Sequence, residues 1–391
     1  MKDHLTFQRR VAPCDKHSNG QTHWQKRLIR VGMFSGIGVV ALLIVASLIT
    51  VPYEAITPGS TVDVSRLISI PGESHHEKSG SVSLVDVNLV PLRAINYLFF
   101  RLNPDNQIVS TGEILGTNSQ ATYDEQGVLD MVSAQQAAIY VAFQQLGYSI
   151  HSRQDGVAVY ALVPRSSTSL GTSKASIMVG DIIRKIDGVA IGNVAALRNA
   201  LLSYRVGDLI KIEVQQYGQS KKLSVGVRLG ALSTNRTGNE VCTPSSQSSA
   251  RSFGTEKPCL GVILMPMYHF VNQPFAVNLS AEGIIGPSAG LAFTLGLIQE
   301  LDQLSLTHGI SIAATGTISM DGSIGDVGGV AQKTIAVRKS GASAFFVPKS
   351  EFQIAKSKAG SHLRIFPVTS ISQVIRDLKS LGGQIFRREP R

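Results

Sequence analysis

Ile285-Gly-Pro-Ser-Ala-Gly-Leu291, with Gly328-Gly-Val-Ala-Gln-Lys333 downstream, supplies a nucleophile and a candidate base. Gly286 and Gly290 flank Ser288 and are expected to let the backbone turn tightly. The apolar run that follows, Leu291, Ala292, Leu295, Leu297 and Ile298, predicts a helix. Ser288 would then sit at a helix N-terminus, where unpaired N–H groups and the positive end of the helix dipole stabilise an oxyanion.

The stretch from Thr315 to Lys333 reads as a strand, a glycine-rich turn and a helix start. Val330, Thr334 and Val337 neighbour Lys333 at helical spacings, so its amine is expected to face a partly apolar cleft. A lysine acts as a base only when its pKa falls from about 10.4 toward neutrality, and desolvation against apolar neighbours does this. A neutral amine within hydrogen-bond reach turns the weakly nucleophilic Ser288 hydroxyl into a competent nucleophile.

These two stretches and their spacing resemble the proteolytic domain of the Lon peptidase family. The resemblance implies Ser288 as nucleophile, Lys333 as base and Thr315 as the residue that orients the lysine amine. Ile285 stands where ATP-dependent Lon has an acidic residue, and Asp326 where it often has proline. Gly-x-Ser-x-Gly is also the nucleophile elbow of α/β-hydrolases, and Asp326 and His362 follow in the chain order of that triad. An esterase of that type is therefore a second enzymatic reading.

The chain has 391 residues and a net charge of +10, enough length for two or three domains. Residues 31–51 contain no charged side chain and are long enough to span a bilayer as a helix. Residues 1–30 carry seven Lys or Arg against Asp3 and Asp15, so the tail is expected to be cytoplasmic and the rest of the chain extracytoplasmic. The basic balance is thus an orientation signal rather than a nucleic-acid footprint. A cleaved signal peptide ending near Val45-Ala46-Ser47 is the competing reading, against which the long basic region argues.

Cys14 would lie in the reducing compartment. Cys242 and Cys259 would share the oxidising one, where a disulfide and two free thiols both stay open. No metal-ligand spacing and no phosphate loop is present, so no metal, cofactor or ATP is expected. Substrates are expected to arrive unfolded, flexible, or delivered by something else.

A helix is predicted over 127–146, with Met131, Ala134, Ala138, Val141, Ala142 and Leu146 on one face. The segments at 56–59 and 131–138 resemble pieces of bacterial membrane-anchored Lon-like peptidases. Residues 154–229 resemble a PDZ domain, through Asp155-Gly-Val-Ala-Val-Tyr160, Val179-Gly-Asp-Ile-Ile-Arg-Lys-Ile-Asp-Gly188 and alternating strands further on. The resemblance implies a groove beside Gly156, Val157 and Val159 that holds a peptide by strand addition.

The expected organisation is α+β multidomain: a cytoplasmic tail (1–30), one transmembrane helix (31–51), a membrane-proximal α+β region (52–150), the PDZ domain (154–229), a Ser/Thr-rich linker (230–258) and a Lon-type proteolytic α+β domain (259–385). The expected function is a membrane-anchored, ATP-independent serine endopeptidase acting on extracytoplasmic proteins or peptides, with oligomeric state open. A PDZ adaptor whose peptidase-like domain turns nothing over is the alternative from another class.

Overall fold

The computed structural model describes residues 21–71, 79–163, 177–234, 240–243, 257–302 and 304–385. The chain enters through helix α1 (Gln21–Leu48) and turns into strand β1 (Thr50–Asp63) before the expected end of the 31–51 span. The tail 1–20 and several α1 side chains lie outside the described residues. Among the described residues no helix is long and apolar enough to cross a membrane.

Asp63 ends β1 by accepting from the Ser65 N–H, which starts a short turn into β2 (Ile68–Ser69). Strand β3 (Ser81–Arg93) returns antiparallel to β1, then come α2 (Ala94–Leu102), β4 (Gln107–Ser110) on the other edge of β1, and α3 (Thr111–Leu115). Helix α4 (Gln120–Gln145) begins where the Ser119 hydroxyl accepts from the Thr122 N–H, earlier than the predicted 127, because its first turns are not part of the apolar face. Met131, Ala134, Ala138, Val141, Ala142 and Leu146 are buried.

The next unit is β5 (His151–Leu162), β6 (Asp181–Ile186), β7 (Val189–Ala190), α5 (Val194–Leu201), β8 (Leu209–Gln216) and β9 (Lys222–Arg228). Its core joins Val157, Val159, Ile183, Ile212, Val225 and Val227 to Leu197 and Leu201 of α5. The expected linker is structured where it is described. Strands β10 (Gly230–Thr234), β11 (Glu240–Thr243) and β12 (Pro258–Cys259) form a small sheet, and a Cys242–Cys259 disulfide ties it together. Composition misleads here because short strands held by a crosslink need few large apolar residues.

Strand β13 (Val262–Val271) then joins the sheet of this unit, giving the order β13-β5-β6-β8-β9 with β7 on β6. Strand β14 (Asn278–Leu279) pairs with β2. The remainder is α6 (Gly290–Leu301), β15 (Ser311–Ala314), the β16 (Thr317–Ile318) and β17 (Ile324–Gly325) hairpin, α7 (Val330–Ser340), β18 (Ala344–Pro348), α8 (Phe352–Lys358), β19 (Arg364–Val368) and α9 (Ile371–Ser380).

One six-stranded sheet, β19-β18-β15-β3-β1-β4, organises this part. Strands β19, β18, β15 and β3 are parallel; β1 runs antiparallel to β3, and β4 antiparallel to β1. Alternation along the strands assigns its two faces. Leu84, Ile312, Ala314 and Phe346 pack toward α4, α6 and α9, while Val85, Ala313, Phe345 and Val347 pack toward α7 and α8. Residues 50–146 are therefore woven into the same sheet and core as the segment after 278 and are no separate layer. β3 is apolar on both faces at Leu84 and Val85, and such a strand is stable only when covered on both sides.

Candidate active site

Ser288 lies in a single 3₁₀ turn, Pro287–Ala289, immediately before α6. Gly286 enters it at φ 91°, which a Cβ would oppose, and its N–H donates to the Gly127 carbonyl of α4 at 2.8 Å. Gly290 has ordinary helical dihedrals, contrary to the expectation of a second flexible turn residue. Its smallness serves a close approach instead: a Cβ there would lie 2.8 Å from Ile318 Cγ2 and 3.1 Å from the Ile318 backbone nitrogen.

The turn is stitched to the end of β15. The Ser288 carbonyl accepts from the Gly316 N–H at 3.0 Å and from the Thr315 hydroxyl at 3.3 Å, and the Gly316 carbonyl accepts from the Leu291 N–H at 3.1 Å. Gly290 N–H is bonded to the Pro287 carbonyl. With Gly286, Gly290 and Leu291 committed and proline lacking an N–H, the amides of Ser288 and Ala289 are the ones this turn would offer to an oxyanion.

Lys333 sits one turn into α7, whose start is set by Gly329 in the left-handed region at φ 68°. The side chain is 3% exposed and its Nζ donates to the Thr315 hydroxyl at 3.3 Å. Thr315 thus touches both partners, the lysine through its oxygen and the serine turn through its proton. Burial pushes the Lys333 amine down to about 8, against the opposing influence of the Glu351 and Asp86 carboxylates. Glu351 accepts from the Val327 N–H at 3.3 Å, and burial raises its own pKa. Its second oxygen is buried without a hydrogen-bond partner.

Ser288, Lys333, Thr315, Gly286 and Gly290 are thus brought together. Asp326 and His362 do not form a triad with Ser288, although Asp326 lies close enough to Glu351 to raise its pKa. Asp326 accepts from the Ser350 hydroxyl, and His362 precedes β19, whose parallel course puts it at the opposite end of the sheet from Thr315. Ser288 also follows no strand of the central sheet, so the nucleophile-elbow geometry is absent.

Gly156, Val157 and Val159 lie on β5, and here the structure corrects the expectation of an open groove. Gly156 adopts φ 120° and donates to the Gly192 carbonyl at 2.8 Å. One edge of β5 pairs with β6 and the other with β13, which sets Leu264 against Val159 and Pro266 against Val157. Val262 and Leu264 pack on the core that contains Leu197 and Leu201 of α5. The chain's own strand holds the edge that an added peptide would use.

Residues that motif reading did not single out complete the site. Gly127 of α4 carries the Gly286 bond, and a Cβ on it would meet Ile285 Cδ1 at 2.9 Å. Val87 and Ile56, from β3 and β1, wall Gly329 at the foot of α7. Only the closeness of small residues in both segments hinted at such contacts. Among the described residues no group of His, Cys, Asp and Glu is arranged to hold a metal.

Residues 190–380 match the Lon protease (S16) C-terminal proteolytic domain, and residues 144–227 match a PDZ domain. The two matches overlap over 190–227, where the strands belong to the PDZ sheet. The Lon protease of Aster yellows witches'-broom phytoplasma is 27% identical over 177 residues, covering 44% of this chain and 21% of that protein. Lon protease 1 of Myxococcus xanthus is 32% identical over 128 residues, covering 31% of this chain and 15% of the relative. This chain therefore spans about a fifth of the length of the curated relatives it matches. The PDZ domain of the SdrC-like protein of Listeria monocytogenes aligns at 24% identity over 28% of this chain and 88% of its own, with a TM-score of 0.19. The chain carries a Lon-type proteolytic domain and a PDZ domain.

Proposed function

We propose that this chain is an ATP-independent serine endopeptidase in which Ser288 attacks the peptide carbonyl and Lys333 takes its proton. The carrying observation is the buried Lys333 amine, held by the Thr315 hydroxyl that also binds the Ser288 turn. Lys333 then delivers the proton to the leaving amine, the amides of Ser288 and Ala289 hold the oxyanion, and water releases the acyl-enzyme.

Location is proposed from charge and redox chemistry. The basic tail with α1 forms a single membrane anchor, with its N-terminus cytoplasmic. The Cys242–Cys259 crosslink supports an oxidising compartment for the catalytic part, and hence extracytoplasmic protein or peptide substrates. For the PDZ domain, the β13 pairing favours a framing role. Substrate capture at Gly156, Val157 and Val159 would first require β13 to leave.

The test is turnover of a fluorogenic peptide together with labelling by a serine-directed acylating probe. Ser288→Ala and Lys333→Ala should each abolish both, with unchanged circular dichroism. Thr315→Val should lose on the order of tenfold to a thousandfold in kcat, because it removes an orienting hydrogen bond and leaves the base. A folded wild-type protein that takes up no probe would make the chain a binding protein instead.

A further inference from the structure

Helix α2 is apolar on the side that faces away from the protein. Ile95, Leu98, Phe99 and Leu102 recur at helical spacing and are 44%, 62%, 72% and 72% exposed, and no residue of the helix is buried. An amphipathic helix normally turns such a stripe to the core. Among the described residues nothing buries the stripe, although the helix itself is firmly attached.

Its attachment identifies what covers the stripe. The Ala94 N–H donates to the Ile49 carbonyl at 3.0 Å, and Arg93 Nη1 donates to the Ser47 carbonyl at 2.9 Å, so α2 is bonded to the end of α1. The large apolar side chains described in α1, Ile37, Val39, Val40, Leu42, Leu43, Ile44, Val45 and Leu48, are exposed, while Ala46 and Ser47 at the junction are half-buried. They point in every direction around the helix. A protein partner would cover one stripe; apolar surface on all sides calls for a surrounding apolar solvent. The bonds at the junction bring the apolar surface of α2 beside the end of α1.

The junction has the composition of a membrane interface. Tyr53 and Tyr97 meet beside it with ring centroids 5.5 Å apart and planes tilted by 53°, and Arg93 and Arg101 flank the stripe. Amphipathic aromatic rings and long basic side chains suit the headgroup layer, where one end is apolar and the other wet. We propose that α2 lies in the lipid surface, with Ile95, Leu98, Phe99 and Leu102 in the acyl boundary, as a second contact that fixes the tilt of the catalytic sheet against the bilayer. This rests on the reading of α1 as the anchor.

The experiment uses the full chain with Cys14→Ser, reconstituted in phosphatidylcholine and phosphatidylglycerol vesicles. Nitroxides are attached in separate proteins at Phe99→Cys, Leu102→Cys, Leu43→Cys in α1, and Val189→Cys on the exposed PDZ hairpin. Collision with oxygen should exceed collision with an aqueous nickel chelate at 99, 102 and 43, with the order reversed at 189. Chelate access at 99 and 102 with lipid exposure at 43 overturns the proposal and leaves the anchor standing. Chelate access at 43 as well overturns both. Low access to either reagent at 99 and 102 means that protein covers the stripe, and this also overturns the proposal.

Discussion

At the scale of single residues, Lys333 stands between stability and chemistry. Its amine titrates at 10.5 when unperturbed and near 8 in the fold. Because the folded value is the lower one, the unfolded chain binds the extra proton between those limits, and stability rises with pH across that window. Below about pH 8 both states are charged and the fold carries the full cost of burying the ammonium, roughly 3 kcal/mol. Lys333→Met should therefore be inactive yet melt higher than wild type at pH 7, with the advantage shrinking toward pH 10. Equal melting at both values would mean that no charged amine is buried. In the proposed mechanism only the neutral amine acts as base, so wild-type kcat/KM should climb about tenfold from pH 6 to pH 7 and level off above pH 8. Ser288, Lys333 and Thr315 were legible because each lies in a short segment with its own turn glycines. Asp86 and Glu351, which oppose the downward shift of Lys333, were not, because β3 and the turn after β18 reach the lysine only through sheet order.

At the scale of elements, periodicity succeeded where one face meets one core. The buried side of α4 was readable from residues 131–146, and the alternating strands of the PDZ sheet likewise. It failed at 230–258, where polar composition predicted a linker and the described residues form a crosslinked three-stranded sheet. The disulfide spans 17 positions, for which closure of the unfolded loop accounts for about 3 kcal/mol. Cys242→Ser should lower Tm by several degrees, and dithiothreitol should lower wild type equally while leaving Cys242→Ser unchanged. A wild-type Tm unmoved by reductant would mean that the crosslink is absent or without effect on the unfolded chain.

At the scale of the whole molecule, the linear order tail, anchor, membrane-proximal region, PDZ, linker and peptidase did not reveal that the first folded region supplies three of the six strands of the peptidase sheet. Pairing between β3 and β15 joins segments on either side of the PDZ domain, and no local pattern announces a partner that far away. Deleting 154–229 should therefore give insoluble protein rather than a PDZ-free peptidase: β13 would lose β5 and present an open apolar edge. A soluble, monomeric and active deletion variant would show that β13 folds without its partner. The same ladder bears on the order of folding. Gln136 of α4 and Tyr268 of β13 exchange two hydrogen bonds across 132 positions of chain, and Thr307 reaches the Ser79 carbonyl across 228. Closing loops of that size by diffusion is slow. Were β5 to β9 to form first and pair with β13, α4 and the chain that follows β13 would be brought together, and the search that completes the six-stranded sheet would be shorter.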